Sequence, residues 1–280
     1  MEVAVGIVAQ RGNERAQELA ATLIAALERD ARAGTVVVDD ATGEVIDAPS
    51  SPVADMDDRD LVVSIGGDGT LLFVAREVGP TAILGINLGE VGFLNAVEPA
   101  DAVDVVTDCV ETVHDDGSLE GRELVRLEAT GVDVDLTLEP AVNEILVYGP
   151  RRGPGGGATV EVRVGGDRYA ESHADGALVA TPAGSTAYNL SEGGPFVHPS
   201  ADALVVTQMA AADGMPSLVV GPDTDLELSV SDADVAYAIS DGRARQRLEP
   251  PVTITVSVAD DPITLVGPGA SFVGSLGKLD

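Results

Sequence analysis

Residues 61–75 consist of two apolar runs, Leu61-Val62-Val63-Ser64-Ile65 and Leu71-Leu72-Phe73-Val74-Ala75, joined by Gly66-Gly67-Asp68-Gly69-Thr70. An apolar run, a glycine turn and a second apolar run with helical spacing read as strand, turn and helix, the unit from which a parallel α/β layer is built. The glycines bare the backbone, so a polyphosphate can reach the turn's N–H groups and the helix N-terminus, where the dipole favours negative charge. The one carboxylate there, Asp68, repels such a ligand unless it binds a metal ion or takes a proton from a nucleophile. The turn therefore points to phosphoryl transfer. The plain alternative is a buried strand closed by a glycine turn, with Asp68 as a helix cap.

The flanking sequence extends the α/β reading. Residues 3–8 are an apolar run, and residues 13–33 show helical spacing through Ala16, Leu19, Ala20, Leu23 and Leu27. Val36–Val38 and Ile83–Ile86 repeat the strand signal. The acidic stretch Asp39–Asp60, with Pro49 and Pro52, reads as loop holding at most a short helix, and a further helix is expected from Pro99 to about Val113. The texture then changes to alternation in Val132–Leu138, Val160–Val164, Leu226–Val230 and Val252–Val256, with hairpin turns expected at Gly165-Gly166 and Ser231-Asp232. Gly153–Gly157 reads as a mobile loop. The fold class is thus α/β plus all-β, with an α/β domain over 1–105, an antiparallel β domain over 106–265 and a closing tail over 266–280.

Acidic residues outnumber basic ones 47 to 16, for a formal net charge of −31. The charge is spread along the chain, which argues against an acidic tail and against nucleic acid or an anionic membrane as partner. Fifteen of the basic residues are arginine and Lys278 is the single lysine, a surface suited to concentrated salt. With no lysine before 278, the phosphate-contacting lysine of P-loop and protein kinases is missing. Donor charge must be met by backbone, arginine and a divalent ion. Cys109 alone excludes an intrachain disulfide and any cysteine-rich metal site, and no apolar stretch approaches bilayer length, so a cytoplasmic setting is expected.

Two more clusters carry chemistry. In Asp175–Ser191 an apolar strand ends at Thr181-Pro182, and after a glycine turn Ser185 or Thr186 opens a helix, presenting hydroxyls and free amides to an anion or ribose. Asn143-Glu144 interrupts the apolar run Ala141–Tyr148, so that at least one of the pair meets a ligand or a buried partner. His114 and His198 read as surface or turn residues.

Together these landmarks resemble the NAD kinase family: GGDGT at Gly66–Thr70, NxGxxGFL at Asn87–Leu94, NE at Asn143-Glu144, DGALVATPAGSTAYNLSEGGP at Asp175–Pro195 and a closing segment at Phe272–Leu279. The resemblance implies a Rossmann-like N-terminal domain, a C-terminal antiparallel β-sandwich, a tail returning to the first domain and an active site between the domains. It implies Asp68 as general base on the adenosine-ribose 2'-hydroxyl, with a possible hand in placing Mg2+. It also implies Gly66, Gly67, Gly69, Thr70 and Ser185 on the phosphates of ATP or polyphosphate. The NAD contacts it implies are Asp68, Gly69, Phe93 packing on a base, Asn143, Glu144, Asp175 and Thr186, Ala187, Tyr188, Asn189, Leu190 and Ser191. Three further contacts depart from the family's residue: Ala183 for a threonine, His173 for an arginine and Arg243 for a glutamine. A homodimer or homotetramer is implied. The Gln208–Pro216 segment also departs from the family, which leaves open a kinase of another polyol or sugar; a non-catalytic dinucleotide sensor of the same fold is the other rival, set against the intact Asp68 and its glycines.

Overall fold

The computed structural model describes residues 2–89, 93–95, 97–151, 153, 156–269 and 272–277. The chain forms two compact units, one reaching from the N-terminus to Leu124 and resuming at Asp261, the other spanning Val125–Asp260. The sequence texture divides the chain at 105/106. In the structure, the helix Ala102–Asp116 packs its Val106, Cys109, Val110 and Val113 into the first core, so the first unit runs on to Leu124, and it resumes at Asp261 instead of 266 because Ile263–Val266 joins the first sheet.

The first unit is a largely parallel sheet of β1 (Val3–Ala9), β2 (Ala33–Asp39), β3 (Ser50–Ser51), β4 (Leu61–Gly66), β5 (Ile83–Asn87) and β6 (Arg122–Leu124), completed by the late strand Ile263–Val266. Its order is β3-β2-β1-β4-β5, then Ile263–Val266, then β6, and only the last pairing is antiparallel. β4 is buried at every position, as the unbroken apolar run requires of a strand covered on both faces. Helix α1 (Glu14–Leu27) buries Ala16, Ala20, Leu23 and Leu27. It ends before residue 33 because the chain turns at Asp30, whose carboxylate accepts from the Arg32 amide and guanidinium, and re-enters the sheet at Ala33. The acidic stretch holds the short helix α2 (Asp40–Ile46), β3 and a 3-10 turn at Val53–Met56. Helix α3 (Asp68–Val78) follows β4. Helix α4 (Ala102–Asp116) starts three residues later than the sequence suggests, after a turn at Pro99–Asp101, and stops at Gly117 with φ 82°.

The second unit is an antiparallel sandwich. Its strands are β7 (Leu127–Gly131), β8 (Glu144–Tyr148), β9 (Ala158–Val164), β10 (Asp167–Ala174), β11 (Gly176–Ala180), β12 (Leu204–Met209), β13 (Leu218–Val220), β14 (Leu226–Ser231), β15 (Ala236–Ser240), β16 (Ala244–Leu248) and β17 (Val252–Val258). One sheet runs β10-β9-β14-β17-β7 and the other β13-β12-β11-β8-β15-β16. The core between them holds Val160, Val162, Leu226, Leu228, Ile254 and Val256 from one side and Ile145, Val147, Ala177 and Val179 from the other. β8 and β11 are also covered on their second face, where Leu146, Tyr148, Leu178 and Ala180 pack with Val197, Val205 and Met209.

Two expectations are corrected. Val132–Leu138 is not a strand: the chain folds back on Gly131, where a Cβ would lie 2.1 Å from the Val134 carbonyl oxygen. Ser231-Asp232 is not a hairpin turn, because β14 and β15 belong to different sheets and the segment crosses between them. Gly165-Gly166 does join β9 to β10 as a hairpin. Residues 154 and 155 of the glycine-rich loop, 90–92 of the NxGxxGFL pattern and 278–280 lie outside the described residues. Among the described residues no helix is long and apolar enough to cross a membrane.

Candidate functional site

In the first unit, Gly66–Thr70 lies at the carboxyl end of β4, beside the point where the strand order reverses around β1, which is where open α/β sheets bind ligands. The glycines there have different reasons. A Cβ on Gly66 would lie 2.5 Å from Thr70 Oγ1, so packing demands the glycine. Gly67 and Gly69 would meet nothing within 4 Å and neither has a positive φ, so neither crowding nor strain accounts for them. They leave bare backbone before the first amides of α3, which lack intrahelical partners.

Asp68 is not a cap of its own helix, whose N-cap is Gly67. Its Oδ2 accepts the Phe93 N–H at 2.9 Å, and its Oδ1 accepts the Leu94 and Asn95 N–H groups at 3.3 Å each. Asn95 in turn donates from Nδ2 to the Gly66 carbonyl. The carboxylate is thus locked to a loop from the other side of the turn. A carboxylate has about four lone-pair positions, and the one that no described residue fills falls on Oδ2. The Phe93 ring meets Phe272, centroids 6.0 Å apart and tilted 55°.

In the second unit, three segments converge. Asn143-Glu144 opens β8. The 3-10 turn Ala183–Thr186 and the one-turn helix α5 (Tyr188–Ser191) follow β11. Thr181 N donates to the Asn143 carbonyl, Thr181 Oγ1 to the Val142 carbonyl, and Gly184 N to Thr181 Oγ1. Gly184 lies so close that a Cβ would sit 2.0 Å from the Asn143 carbonyl oxygen. The third segment is the turn after β15, where Asp241 gathers the Val142, Asn143 and Glu144 amides on its two carboxylate oxygens. Arg243, in the same turn, is exposed.

Glu144 is 5% exposed, and among the described residues its Oε2 has no partner. Burial pushes its carboxyl up to about 7, the Asp241 carboxylate adds repulsion, and the Tyr188 N–H pulls the other way. Such a group, buried beside Asn143 at the start of β8, offers an acceptor to a ligand hydroxyl.

Other expected residues have internal work. Ser185 is fully buried, its Oγ donating to the Pro182 carbonyl and accepting from the Val197 N–H, so its hydroxyl is not presented to an anion. Asn189, also fully buried, donates to the Ser185 and Pro195 carbonyls and accepts from Thr207 Oγ1. Ala183 is buried, Thr186, Ala187, Tyr188 and Leu190 are half-buried, and Ser191 is exposed. Asp175 lies at the far end of the strand pair: Gly176 pairs with Tyr148 and Ala180 with Glu144, four residues or about 13 Å apart. It accepts the Gly153 N–H, and the nearby His173 ring reaches the Gly156 carbonyl.

Asp241 and Thr181 stand outside the residues that the sequence motifs single out for binding. The Asp-Gly pair beside Arg243 was the available signal, a turn able to place a carboxylate against backbone.

Both halves match models of one kinase class: the ATP-NAD kinase N-terminal domain over residues 5–114 and the ATP-NAD kinase C-terminal domain over residues 139–267. The NAD kinase of Haloarcula marismortui is 50% identical over 284 residues, covering 98% of this chain and 99% of that protein. The crystal structure of yeast NADH kinase complexed with NADH shares the fold with a TM-score of 0.86 at 21% identity, covering 100% of this chain and 88% of that one. An NAD kinase from Archaeoglobus fulgidus in complex with ATP does so with a TM-score of 0.73 at 24% identity, covering 98% and 97%. The chain belongs to the NAD kinase family.

Proposed function

We propose that this protein phosphorylates NAD on the 2'-hydroxyl of its adenosine ribose, with ATP as donor, and that Asp68 is the base. The supporting observation is the mounting of Asp68: three backbone amides hold it, one lone pair on Oδ2 is met by no described residue, and the adjoining Gly67 and Gly69 face open space. The substrate hydroxyl donates its proton to Oδ2 while its oxygen attacks the γ-phosphorus. The bond to the bridging oxygen breaks and ADP leaves. Such in-line transfer needs positioning and charge neutralisation more than covalent machinery.

In this reading Gly66, Gly67, Gly69 and Thr70 cradle donor phosphates. Asn143, Glu144 and the Thr186–Ser191 segment bind one end of NAD, and Asp175 the other, since a dinucleotide is long enough to reach both. Among the described residues no group of three or more His, Cys, Asp or Glu side chains could hold a metal ion. Because the one free position on Asp68 is needed for the proton, the chain suits a Mg2+ carried by donor phosphates and water better than one caged by protein. Such an ion supplies neutralisation of donor charge. The acidic surface and the Haloarcula relative support a salt-loving, cytoplasmic enzyme. Membership of the NAD kinase family supports a homodimer or homotetramer.

The test is a coupled assay in concentrated KCl with Mg2+, pitting NAD, NADH and several polyols against ATP and polyphosphate. NADP formation from NAD and ATP is expected. Turnover of polyols with none of NAD, or NAD binding without turnover, contradicts the reading.

A further inference from the structure

Basic side chains are scarce in this chain, 16 against 47 carboxylates, and all but one are arginine. Arg32, Arg59, Arg163, Arg168 and Arg247 pair with acids, and Arg245 lies over the Tyr237 ring at 3.5 Å. Arg11, Arg15, Arg29 and Arg243 are exposed to water. Arg122 is different: its side chain is half-buried, yet its guanidinium makes no hydrogen bond or ion pair with any described residue. Burial draws its pKa below the usual arginine value, a sign that lost water has not been replaced.

Arg122 lines a cavity of about 70 Å³ with Gly85, Leu94, Val266, Gly267 and Gly269 among its neighbours. At about 10–15 Å³ for each water-sized group, that admits roughly five to seven, enough for one tetrahedral oxyanion. The cavity lies by the carboxyl ends of β5 and the strand Ile263–Val266, the sheet edge that also carries the Gly66–Thr70 turn. Gly267 and Gly269 are exposed and their amides donate to no described residue, and a Cβ on Gly269 would meet nothing within 4 Å. Among the described residues, one unpaired fork of donors and two bare amides thus border a space that no carboxylate lines.

We propose that this cavity is a second anion site, separate from the Gly66–Thr70 turn, that takes a single phosphate group, either free orthophosphate or the end of a polyphosphate chain. Its occupant touches Leu94, whose amide holds Asp68, so the site bears on the mounting of the proposed base.

The test is equilibrium dialysis of labelled orthophosphate against the full chain, wild type, Arg122→Gln and Gly269→Asp, in concentrated KCl, with thermal midpoints to verify folding. Both substitutions are expected to remove one saturable site, weakening it about tenfold or more. A phosphate held at the Gly66–Thr70 turn is untouched by either, so failure here and failure of the proposed reaction are separable. Displacement by tripolyphosphate assigns a chain end to the pocket, and its absence assigns the free ion. If Arg122→Gln does not fold, Gly269→Asp decides alone. A wild type with no saturable site beyond the turn, or folded variants that bind as the wild type does, overturns the proposal.

Discussion

Glu144 is the residue whose protonation reaches furthest into stability. Its carboxyl titrates near 4.5 when unfolded and is raised to about 7 by burial and by Asp241. Between those values the folded chain holds the extra proton, so this contribution is full below 4.5 and declines as pH rises to about 7. Glu144→Gln removes that decline. Compared with the wild type, the variant is expected to gain roughly 2–3 kcal/mol between pH 4.5 and pH 8, since each tenfold change in proton affinity is worth about 1.4 kcal/mol. Denaturant midpoints at both pH values and fixed KCl check it; parallel pH profiles contradict it. The environment of Glu144 could not be read from the pair Asn143-Glu144, because Asp241 lies 97 residues further on. The same holds for Asp68, whose amide partners are 25 to 27 residues away. Residue types were legible at both places; the backbone donors that fix them belong to any sequence and leave no mark in one.

At the level of the element, the two glycine turns make opposite demands. Gly184 packs against the Asn143 backbone and has no room for a methyl, so Gly184→Ala is expected to cost about 1–3 kcal/mol. It should also raise the Michaelis constant for NAD, through the shifted β8 start. Gly69→Ala has open space and a helical position, so it is expected to keep or slightly raise stability while weakening the donor's hold. Equal stability losses in both variants contradict this division. Strands buried on both faces, such as β4, were legible as unbroken apolar runs, and β9, β14 and β17 as alternation. Val132–Leu138 shows where alternation misleads. Val134, Leu136 and Leu138 do pack on the sandwich core, but their backbone joins no ladder. The Gln246 side chain instead accepts from Thr137 N and donates to the Asp135 carbonyl. Alternation reports a packed face, and hydrogen-bond partners decide whether that face is a strand.

For the whole molecule, the charge of −31 dominates. Self-repulsion acts over a Debye length of about 10 Å at 0.1 M salt and about 3 Å at 1 M. The thermal midpoint is expected to rise with KCl into the molar range, and greatest stability in dilute buffer contradicts the salt-adapted reading. The α/β-then-β order was legible across the whole chain. The return of Ile263–Val266 between β5 and β6 was not, since a short apolar run does not name its neighbours. The most direct measurement of the central claim is turnover of NAD with ATP and Mg2+ by Asp68→Asn beside the wild type, with NAD affinity measured on both. Loss of a positioned base predicts a fall of about 10²- to 10⁴-fold with affinity held within a few-fold. Turnover equal to that of the wild type contradicts Asp68 as the base.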